Sequence, residues 1–411
     1  MNINSQAHTN ALSHYESIKS RNISIDATRG KPGADQVDQC ISMLNPLPTY
    51  LTENNSDVRN YGGSDGLPEM KRIFAEILDL EPQDIIVGGN SSLNMMFDCI
   101  ATLVQSGQWR AGQKVICPSP GYDRHFAICE YFGIEMLNVA MTPEGPDMAA
   151  TTKLAKDPEV CGMWCVPVFS NPQGYIYSNE TIKALAAMEA GHPHFKLMWD
   201  NAYAVHHLKG KRPKIANIAN ECTKHGHNSR AIVFTSFSKI SIPGASVVCM
   251  AAFSETRKLM LQRINAQTIG PDKINQLRHI QFFKNLDGVL AHMKKHTAIL
   301  GPKFEEAYHL LRFELAGTNA TFTTPDGGYF ISIETPGSAK RVWQLCKEAG
   351  LLLTDAGATF PYGRDPNDSN LRFAPSFLKI EEIEPAIEIL GAAVRLAEAE
   401  RAEFFKDKPS I

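Results

Sequence analysis

Ala231-Ile-Val-Phe-Thr-Ser-Phe-Ser-Lys-Ile-Ser-Ile-Pro-Gly244 begins with a run of β-forming residues and continues into a turn that sets one lysine among small hydroxylic residues. The first five residues predict a strand, so Lys239 is expected just beyond a strand end. Partial burial at such a place lowers the pKa of an amine and frees a neutral nucleophile that can form a Schiff base. A lone lysine is most often a surface residue, so this interpretation depends on the neighbouring segments.

Short β-rich runs alternate with amphipathic helical stretches on both sides of this segment, from about residue 84 onward. The alternation predicts βαβ units and a mostly parallel sheet that is buried on both faces. Helices are expected over 92–103 and 181–190, the second with Ser178 or Asn179 as its N-cap. Seven strands are expected, at 85–87, 114–117, 134–139, 163–169, 195–200, 231–235 and 246–253.

The pattern changes in the last third of the chain. Residues 255–310 are predicted to be mostly helical, with interruptions at Gly270-Pro271 and Gly301-Pro302. Beyond them a smaller sheet is expected, with strands at 321–333, 351–354 and 369–374 and helices at 340–349 and 380–405.

Composition restricts the class of protein. The chain has 411 residues, 43% of them hydrophobic, and its 41 basic and 44 acidic residues give a net charge of −3, as in soluble globular proteins. No basic run suggests nucleic-acid binding, and the longest apolar stretches, 162–169 and 247–253, are far below the roughly 20 residues of a membrane span. The first residues lack a signal-peptide pattern, and nine scattered cysteines indicate reduced thiols, so a cytoplasmic location is expected.

Polar residues follow two more predicted strands at the edge where open α/β sheets bind ligands. Asp200 and Tyr203 end the run Met198-Trp-Asp-Asn-Ala-Tyr203, and Asn171 lies in the turn after the preceding strand. A buried carboxylate there needs a cationic partner, which the protonated pyridine nitrogen of pyridoxal phosphate (PLP) would supply. Tyr203 or Asn171 would then contact the phenolic oxygen of the cofactor. The simpler alternatives are that Asp200 caps a helix and that Asn171-Pro172 is only a turn.

A glycine-rich turn follows the first predicted strand, in Ile85-Ile-Val-Gly-Gly-Asn-Ser-Ser-Leu93. It places the backbone N–H groups of Asn90, Ser91 and Ser92 at a helix start, where an anion such as phosphate is favoured. The turn lacks the lysine of a nucleotide P-loop, so nucleotide binding is the weaker interpretation. Tyr122, after the next strand, offers an aromatic ring to stack on a flat ligand.

Together these segments resemble the fold-type-I PLP-dependent aminotransferases of classes I and II, over nearly the whole chain. Three further details resemble the MocR-like aspartate aminotransferase subgroup: Arg29-Gly-Lys-Pro-Gly33, Ile269-Gly-Pro-Asp-Lys273 and Leu371-Arg-Phe-Ala-Pro-Ser376. Each motif alone is weak, but eight of them occur in the family's order, namely Gly30-x-Pro32, Tyr61-Gly62, Gly89-Asn-Ser-Ser92, Pro120-Gly-Tyr122, Asn171-Pro172-x-Gly174, Asp200-x-x-Tyr203, Ser236-x-Ser-Lys239 and Arg372.

The resemblance implies an α/β enzyme with a mostly parallel seven-stranded sheet in a large domain, residues 51–300. A smaller α+β domain would comprise residues 1–50 and 301–411. The resemblance also implies the role of each site residue. Lys239 would be the Schiff-base lysine and proton shuttle, Asp200 would face the pyridine nitrogen, Asn171 and Tyr203 would contact the phenolic oxygen, and Tyr122 would stack against the ring. The phosphate would be held by Ser91, Ser92 and Ser236, and by Tyr61 of a second subunit, while Arg372 and the backbone of Gly30 would bind the substrate α-carboxylate.

One departure from the family concerns charge. An arginine about seven residues after the lysine usually neutralises the phosphate, but Ser246 occupies that position here. Arg29, Arg124 and Lys273 are the candidates to replace it. A distal substrate carboxylate also needs a cation, for which Arg29, Lys273 and Arg364 are the candidates.

The implied activity is transfer of an amino group from an L-amino acid, with aspartate favoured, to a 2-oxo acid, with 2-oxoglutarate favoured, by a homodimer. Another PLP enzyme of this fold, such as a β-lyase, would share every cofactor residue. A MocR-type regulator would need an N-terminal winged helix, for which 30 residues before the Gly-x-Pro segment leave no room. The second alternative is therefore a regulator-like protein with the PLP fold and no DNA-binding domain. No metal is expected, because the histidines at 192, 194, 206, 207, 225 and 227 show no four-ligand spacing.

Overall fold

The computed structural model describes residues 3–406. The helices are α1 (Ile3–Lys19), α2 (Ala34–Val37), α3 (Pro68–Leu78), α4 (Ser92–Gln105), α5 (Asp123–Tyr131), α6 (Met148–Ala155), α7 (Asn179–Ala187), α8 (Ile218–Lys224), α9 (Ser254–Gln267), α10 (Lys273–Phe283), α11 (Leu286–Glu314), α12 (Ala339–Glu348) and α13 (Ile380–Lys406). The strands are β1 (Ile25–Asp26), β2 (Ile85–Val87), β3 (Lys114–Ser119), β4 (Glu135–Thr142), β5 (Gly145–Pro146), β6 (Val160–Cys165), β7 (Lys196–Asp200), β8 (Ala231–Ser236), β9 (Val248–Ala252), β10 (Thr321–Phe322), β11 (Ile331–Glu334), β12 (Leu351–Leu352) and β13 (Asn370–Phe373).

The large sheet confirms the predicted α/β fold. Its strand order is β2-β9-β8-β7-β6-β3-β4-β5, and it contains all seven predicted strands plus the two-residue β5. The strands β4, β3, β6, β7 and β8 pair in parallel, whereas β9 is antiparallel to both of its neighbours. The carboxyl ends of β2, β3, β6, β7 and β8 therefore lie along one edge of the sheet, where a ligand site is expected.

Alternation along the strands buries both faces of this sheet. Ile85 and Leu197 contribute to one hydrophobic core, while their neighbours Ile86 and Met198 contribute to a second core on the other face. Every residue of β6, β7, β8 and β9 is buried. Such continuously apolar strands are typical of a parallel sheet that is covered by helices on both sides.

A second sheet, in antiparallel order β10-β11-β13, forms in the last third of the chain. The predicted strand at 321–333 is wrong as a single unit, because β10 and β11 are separated by a loop that contains Gly327 and Gly328. The N-terminal segment joins this region. Strand β1 pairs with β12, and the Tyr15 hydroxyl donates a hydrogen bond to the Leu345 carbonyl.

The interruption predicted at Gly301-Pro302 is also wrong. Helix α11 continues through both residues, and the chain breaks earlier, at Lys284 and Asn285, where the Asn285 side chain caps α11. Proline inside a helix removes one backbone hydrogen bond, but Leu300 and Phe304 on either side of it are buried in the core. Tertiary packing therefore outweighs the local breaker signal. The break predicted at Gly270-Pro271 is confirmed, between α9 and α10.

Two general properties of the chain are visible in the structure. Across residues 3–406, no helix combines the length and the apolar character that a bilayer crossing needs. All nine cysteines are buried and unpaired. The division at residues 51 and 300 into two domains stays a prediction.

Candidate active site

A cavity of about 500 Å³ opens at the carboxyl edge of the large sheet. It brings together segments that are far apart in the chain, because each follows a different strand. The predicted site residues that line it are Arg29, Gly30, Ser91, Ser92, Tyr122, Asn171, Asp200, Tyr203, Ser236, Lys239 and Arg372.

Lys239 extends into this cavity from the turn after β8. Its Nζ donates a hydrogen bond to the Gly30 carbonyl at 2.6 Å and lies 5.1 Å from the centre of the Tyr329 ring. Burial and the nearby Arg372 guanidinium lower the pKa of Lys239 to about 8, against the opposing influence of Asp200. At pH 7 about a tenth of this amine is therefore neutral, and thus nucleophilic, far more than for a lysine of ordinary pKa.

Asp200 ends β7 and is almost completely buried. Its Oδ2 lies 3.0 Å from Nε2 of His125, whose ring stacks on Trp164 with centres 4.0 Å apart. Within the described part of the chain, Oδ1 is buried and has no hydrogen-bond partner. A buried carboxylate oxygen left in this way is costly, so it fits a ligand that brings a cation or an N–H donor to this side of the cavity.

Two tyrosines lie near Asp200. Burial and the charges of Asp200 and Asp123 raise the pKa of Tyr122 to about 12, and burial raises the pKa of Tyr203 well above its ordinary value. Both phenols therefore remain protonated and can donate hydrogen bonds at neutral pH. Tyr122 is the N-cap residue of α5, which sets its ring at the cavity wall.

The turn that is predicted to hold the phosphate lies at the start of α4. Ser91 is the N-cap residue, and its side chain makes no capping hydrogen bond to the helix. The first backbone N–H groups of a helix have no intrahelical partner, so this end favours an anion. Ser236 borders the same cavity, and its hydroxyl donates to the Ser238 hydroxyl at 3.0 Å.

Ser246 stands where the family usually has an arginine, and it is fully buried just before β9. Of the three candidates to replace it, Arg29 and Arg124 line the cavity and are exposed to solvent. The Arg124 guanidinium lies 3.5 Å from an oxygen of Asp123. Lys273 begins α10 outside the cavity, with its side chain near Gly63.

Arg372 enters the cavity from β13 and makes polar contacts with three side chains. Its Nη1 lies 3.2 Å from Asp123 Oδ1 and 3.3 Å from Asn171 Oδ1, and its Nη2 donates to the Thr354 hydroxyl at 3.1 Å. The Phe330 ring packs against the guanidinium at 4.6 Å. A forked cation fixed on several sides is suited to bind a carboxylate through two parallel hydrogen bonds.

The backbone of Gly30 lies close to Phe330 and Arg372, which is possible because glycine has no side chain. A Cβ atom at residue 30 would lie 2.4 Å from the Phe330 ring, which already packs on Arg372. The close approach of the backbone lets the Gly30 carbonyl reach Lys239. Any larger residue would displace Phe330, and with it the support of Arg372.

The structure adds residues that sequence reasoning missed. Asp123 and His125 lie in the first turn of α5, just after Tyr122. Their position beyond the carboxyl end of a strand could have indicated from the sequence that they belong to the site. Phe330 and Thr354 come from loops in the last third of the chain and carry no local signal. Their place in the site depends on how the second sheet packs on the first.

Three predicted residues lie away from this cavity. The Tyr61 side chain is 81% exposed, and neither it nor Lys273 lines the cavity of its own chain. Arg364 is exposed after the turn Pro361–Gly363 and likewise does not line it.

Comparison with known proteins identifies the family of this chain. A family model described as aspartate amino-transferase matches residues 2–404. The chain is 43% identical to an aspartate aminotransferase of Corynebacterium glutamicum, over 96% of this chain and 94% of that protein. It is 41% identical to a putative aminotransferase of Mycolicibacterium smegmatis, over 94% of each chain.

Solved structures show the same fold. The crystal structure of an aspartate transaminase from C. glutamicum superposes with a TM-score of 0.93 at 42% identity, covering 97% of both chains. The α-aminoadipate aminotransferase of Thermus thermophilus, solved with N-(5'-phosphopyridoxyl)-L-leucine, has a TM-score of 0.74 at 20% identity over 93% of this chain and 95% of that one. With its lysine, buried aspartate and forked arginine around one cavity, the chain belongs to the aspartate aminotransferase family.

Proposed function

We propose that this protein is a PLP-dependent aminotransferase that moves an amino group from aspartate to 2-oxoglutarate by a ping-pong mechanism. The observation that carries the proposal is the presence in one cavity of an amine of lowered pKa, Lys239, and an unpartnered buried carboxylate oxygen, on Asp200. The names of the relatives support the choice of aspartate.

The residues of the cavity fit the cofactor part by part. The helix end at Ser91 and Ser92, with Ser236, would hold the phosphate, and Asp200 would face the pyridine nitrogen. When bound, PLP supplies an aldehyde that links to an amine and a cationic ring that withdraws electrons from the substrate. We assign the charge that compensates the phosphate to Arg29 or Arg124, since both line the cavity.

Each residue then has a defined task. Asp200 would keep the ring nitrogen protonated, and His125 holds Asp200 in place through its 3.0 Å contact. Arg372 would bind the α-carboxylate and so orient the substrate Cα toward Lys239. The neutral Lys239 amine would take the proton from Cα and return it to the former aldehyde carbon of the cofactor. Tyr203 and Asn171 would donate hydrogen bonds to the phenolic oxygen.

A panel of amino donors tests the proposed substrates. The purified protein is incubated with 2-oxoglutarate and each L-amino acid, and the keto acid formed is identified. Aspartate is expected to have the highest kcat/KM, with oxaloacetate and glutamate formed in equal amounts. A β-lyase would instead release a product from the side chain, and equal rates for neutral and acidic donors would contradict aspartate specificity.

Arg372→Lys is expected to raise the Michaelis constant of every amino acid and keto acid by a similar factor. Lysine replaces a two-pronged fork with a single charge, and the loss of one charge-assisted hydrogen bond corresponds to about 2 kcal/mol, or roughly thirtyfold. Steady-state kinetics with alanine, aspartate and their keto acids measure the factor. An effect confined to dicarboxylates would assign Arg372 to the distal carboxylate instead.

We further propose a homodimer with shared active sites, of the MocR-like subgroup and in the cytoplasm. An interface is supported by exposed apolar side chains. Leu44 and Leu51 precede Tyr61 in the chain, and Ile269 precedes α10. Tyr61 and Lys273 would then serve the partner's cavity. The unpaired thiols are consistent with a reducing compartment.

Mixing two inactive variants tests the shared site. Tyr61→Ala and Lys239→Ala chains are unfolded together and refolded, and activity is measured. If Tyr61 acts on the partner's site, half of the dimers are mixed and each has one intact site, so about a quarter of wild-type activity is expected. If Tyr61 served its own chain, every site would carry one defect and no activity would return.

A further inference from the structure

Behind the Lys239 turn lies a buried cluster of three side chains that the proposed reaction does not use. Cys40 comes from the 3₁₀ segment Asp38–Leu44, while His292 and His296 are four residues apart on α11 and so share one face of the helix. All three are buried, and one ligand atom of each lies within 4.8 Å of the other two. Since 252 residues separate Cys40 from His292, no sequence spacing indicates this cluster.

The distances in the cluster resemble those around a metal ion. Nε2 of His292 lies 3.0 Å from Nε2 of His296 and 3.4 Å from the Cys40 sulfur. The Ile240 carbonyl oxygen adds a fourth donor, 2.8 Å from Nε2 of His292 and 3.6 Å from the sulfur. A tetrahedral zinc ion, with bonds of about 2.0–2.1 Å to nitrogen and about 2.3 Å to sulfur, separates its ligand atoms by roughly 3.3–3.6 Å. The two distances to sulfur fall in this range. The 3.0 Å N–N and 2.8 Å N–O distances are those of hydrogen bonds, and each would lengthen by about 0.3–0.5 Å when an ion replaces the proton.

Metal-ligating histidines usually have an outer contact at the ring nitrogen that faces away from the ion. Within the described part of the chain, Nδ1 of His292 is buried and has no hydrogen-bond partner, whereas Nδ1 of His296 has one. The Gln36 amide lies 2.9 Å from Nδ1 of His296, in the place of the outer contact that metal-ligating histidines have.

We propose that Cys40, His292 and His296, together with the Ile240 carbonyl, bind one divalent transition-metal ion, for which zinc fits the mixed sulfur and nitrogen donors best. On binding, the Cys40 thiol proton passes to solvent and the sulfur bonds to the ion. His296 ligates through Nε2 and carries its proton on Nδ1, so the Gln36 amide turns its oxygen toward the ring and gives up its present bonds with the Gly33 N–H and the Tyr329 hydroxyl. A closed site of this kind is structural, with no position for substrate.

The ion would join three parts of the molecule around the lysine. Ile240 follows Lys239 directly, Cys40 belongs to the N-terminal segment that supplies Gly30, and the histidines belong to α11. The Tyr329 hydroxyl already donates to the Lys239 carbonyl at 2.7 Å and accepts from Gln36 at 3.0 Å. The ion would replace the Gln36 contact with a stronger tie at the same place.

Metal content and cobalt spectroscopy of the PLP-loaded protein test the site. The protein is produced without a polyhistidine tag in zinc- or cobalt-supplemented medium and dialysed against metal-free buffer. About one zinc per chain is expected by elemental analysis. The cobalt form should show the intense d–d bands of tetrahedral Co²⁺, at wavelengths longer than the cofactor absorption, and a sulfur ligand by X-ray absorption.

Cys40→Ser and His292→Asn are expected to lose the metal, whereas Cys346→Ser, at another buried cysteine, retains it. Circular dichroism shows whether each variant is folded. A wild-type protein with much less than one metal per chain after loading overturns the proposal without reference to any variant. So does a metal without a sulfur ligand, or one retained by folded Cys40→Ser. None of these readouts depends on the proposed transamination.

Discussion

Lys239→Ala is expected to lose both covalent attachment of PLP and amino transfer. The variant removes the amine that links to the cofactor and the group that moves the substrate proton. General acid–base catalysis alone contributes about 10²–10⁴-fold, so a loss of at least about 10⁴-fold in kcat is expected when both are removed. Steady-state kinetics and the visible spectrum of the purified protein measure the two effects. A variant with ordinary turnover would contradict the assignment.

The protein contains its own control for this prediction. Lys196 in β7 is also buried, and burial lowers its pKa to about 8 as well, but its Nζ donates to the Ser229 carbonyl and the Thr256 hydroxyl outside the cavity. Borohydride reduction of the wild-type protein followed by peptide mass spectrometry should therefore find the cofactor on Lys239 alone. Label on Lys196 would mean that low pKa, and not the cavity, selects the lysine.

Asp200→Asn is expected to retain PLP and lose most of the catalytic rate. Asparagine keeps the size of the side chain but removes the charge that holds the pyridine nitrogen protonated. Loss of this charge-assisted bond is worth at least about 2 kcal/mol in the transition state, or roughly thirtyfold in kcat. Cofactor content and kcat are measured on the same preparation.

The matched control is Asp98→Asn, which makes the same chemical change on a partly buried aspartate that is paired with Arg263 outside the cavity. It is expected to leave kcat near the wild-type value. If Asp200→Asn also kept near-normal turnover with bound PLP, Asp200 would have no electronic role, and its unpartnered oxygen would need another explanation.

Sequence patterns predict those parts of the fold whose structure is determined by a single local rule. Asp200 and Lys239 both follow runs of buried β-formers, and parallel strands bring their carboxyl ends to one edge, so their meeting is predictable. Arg372 reaches the same cavity from another sheet, and only the family resemblance indicated it. No local sequence pattern indicated that its neighbours Phe330 and Thr354 belong to the site.

The failed predictions share a physical cause. Gly301-Pro302 has the composition of a break, yet packing of the residues around it keeps α11 continuous. The strand predicted as one unit at 321–333 is divided where Gly327 and Gly328 pack against Phe169. In both cases the deciding interaction is tertiary, while the sequence signal is local.

The ion pair between Arg372 and Asp123 has a consequence for ligand binding. The guanidinium already holds Asp123 at 3.2 Å, so a carboxylate that binds Arg372 as proposed would displace an internal one, and its affinity would reflect the difference between two ion pairs. A tethered carboxylate acts at a high effective concentration, so acetate and similar buffer ions would compete poorly with it. A ligand that gains further contacts in the cavity would complete this exchange. Asp123 would thus select against ligands that offer Arg372 a carboxylate and nothing else.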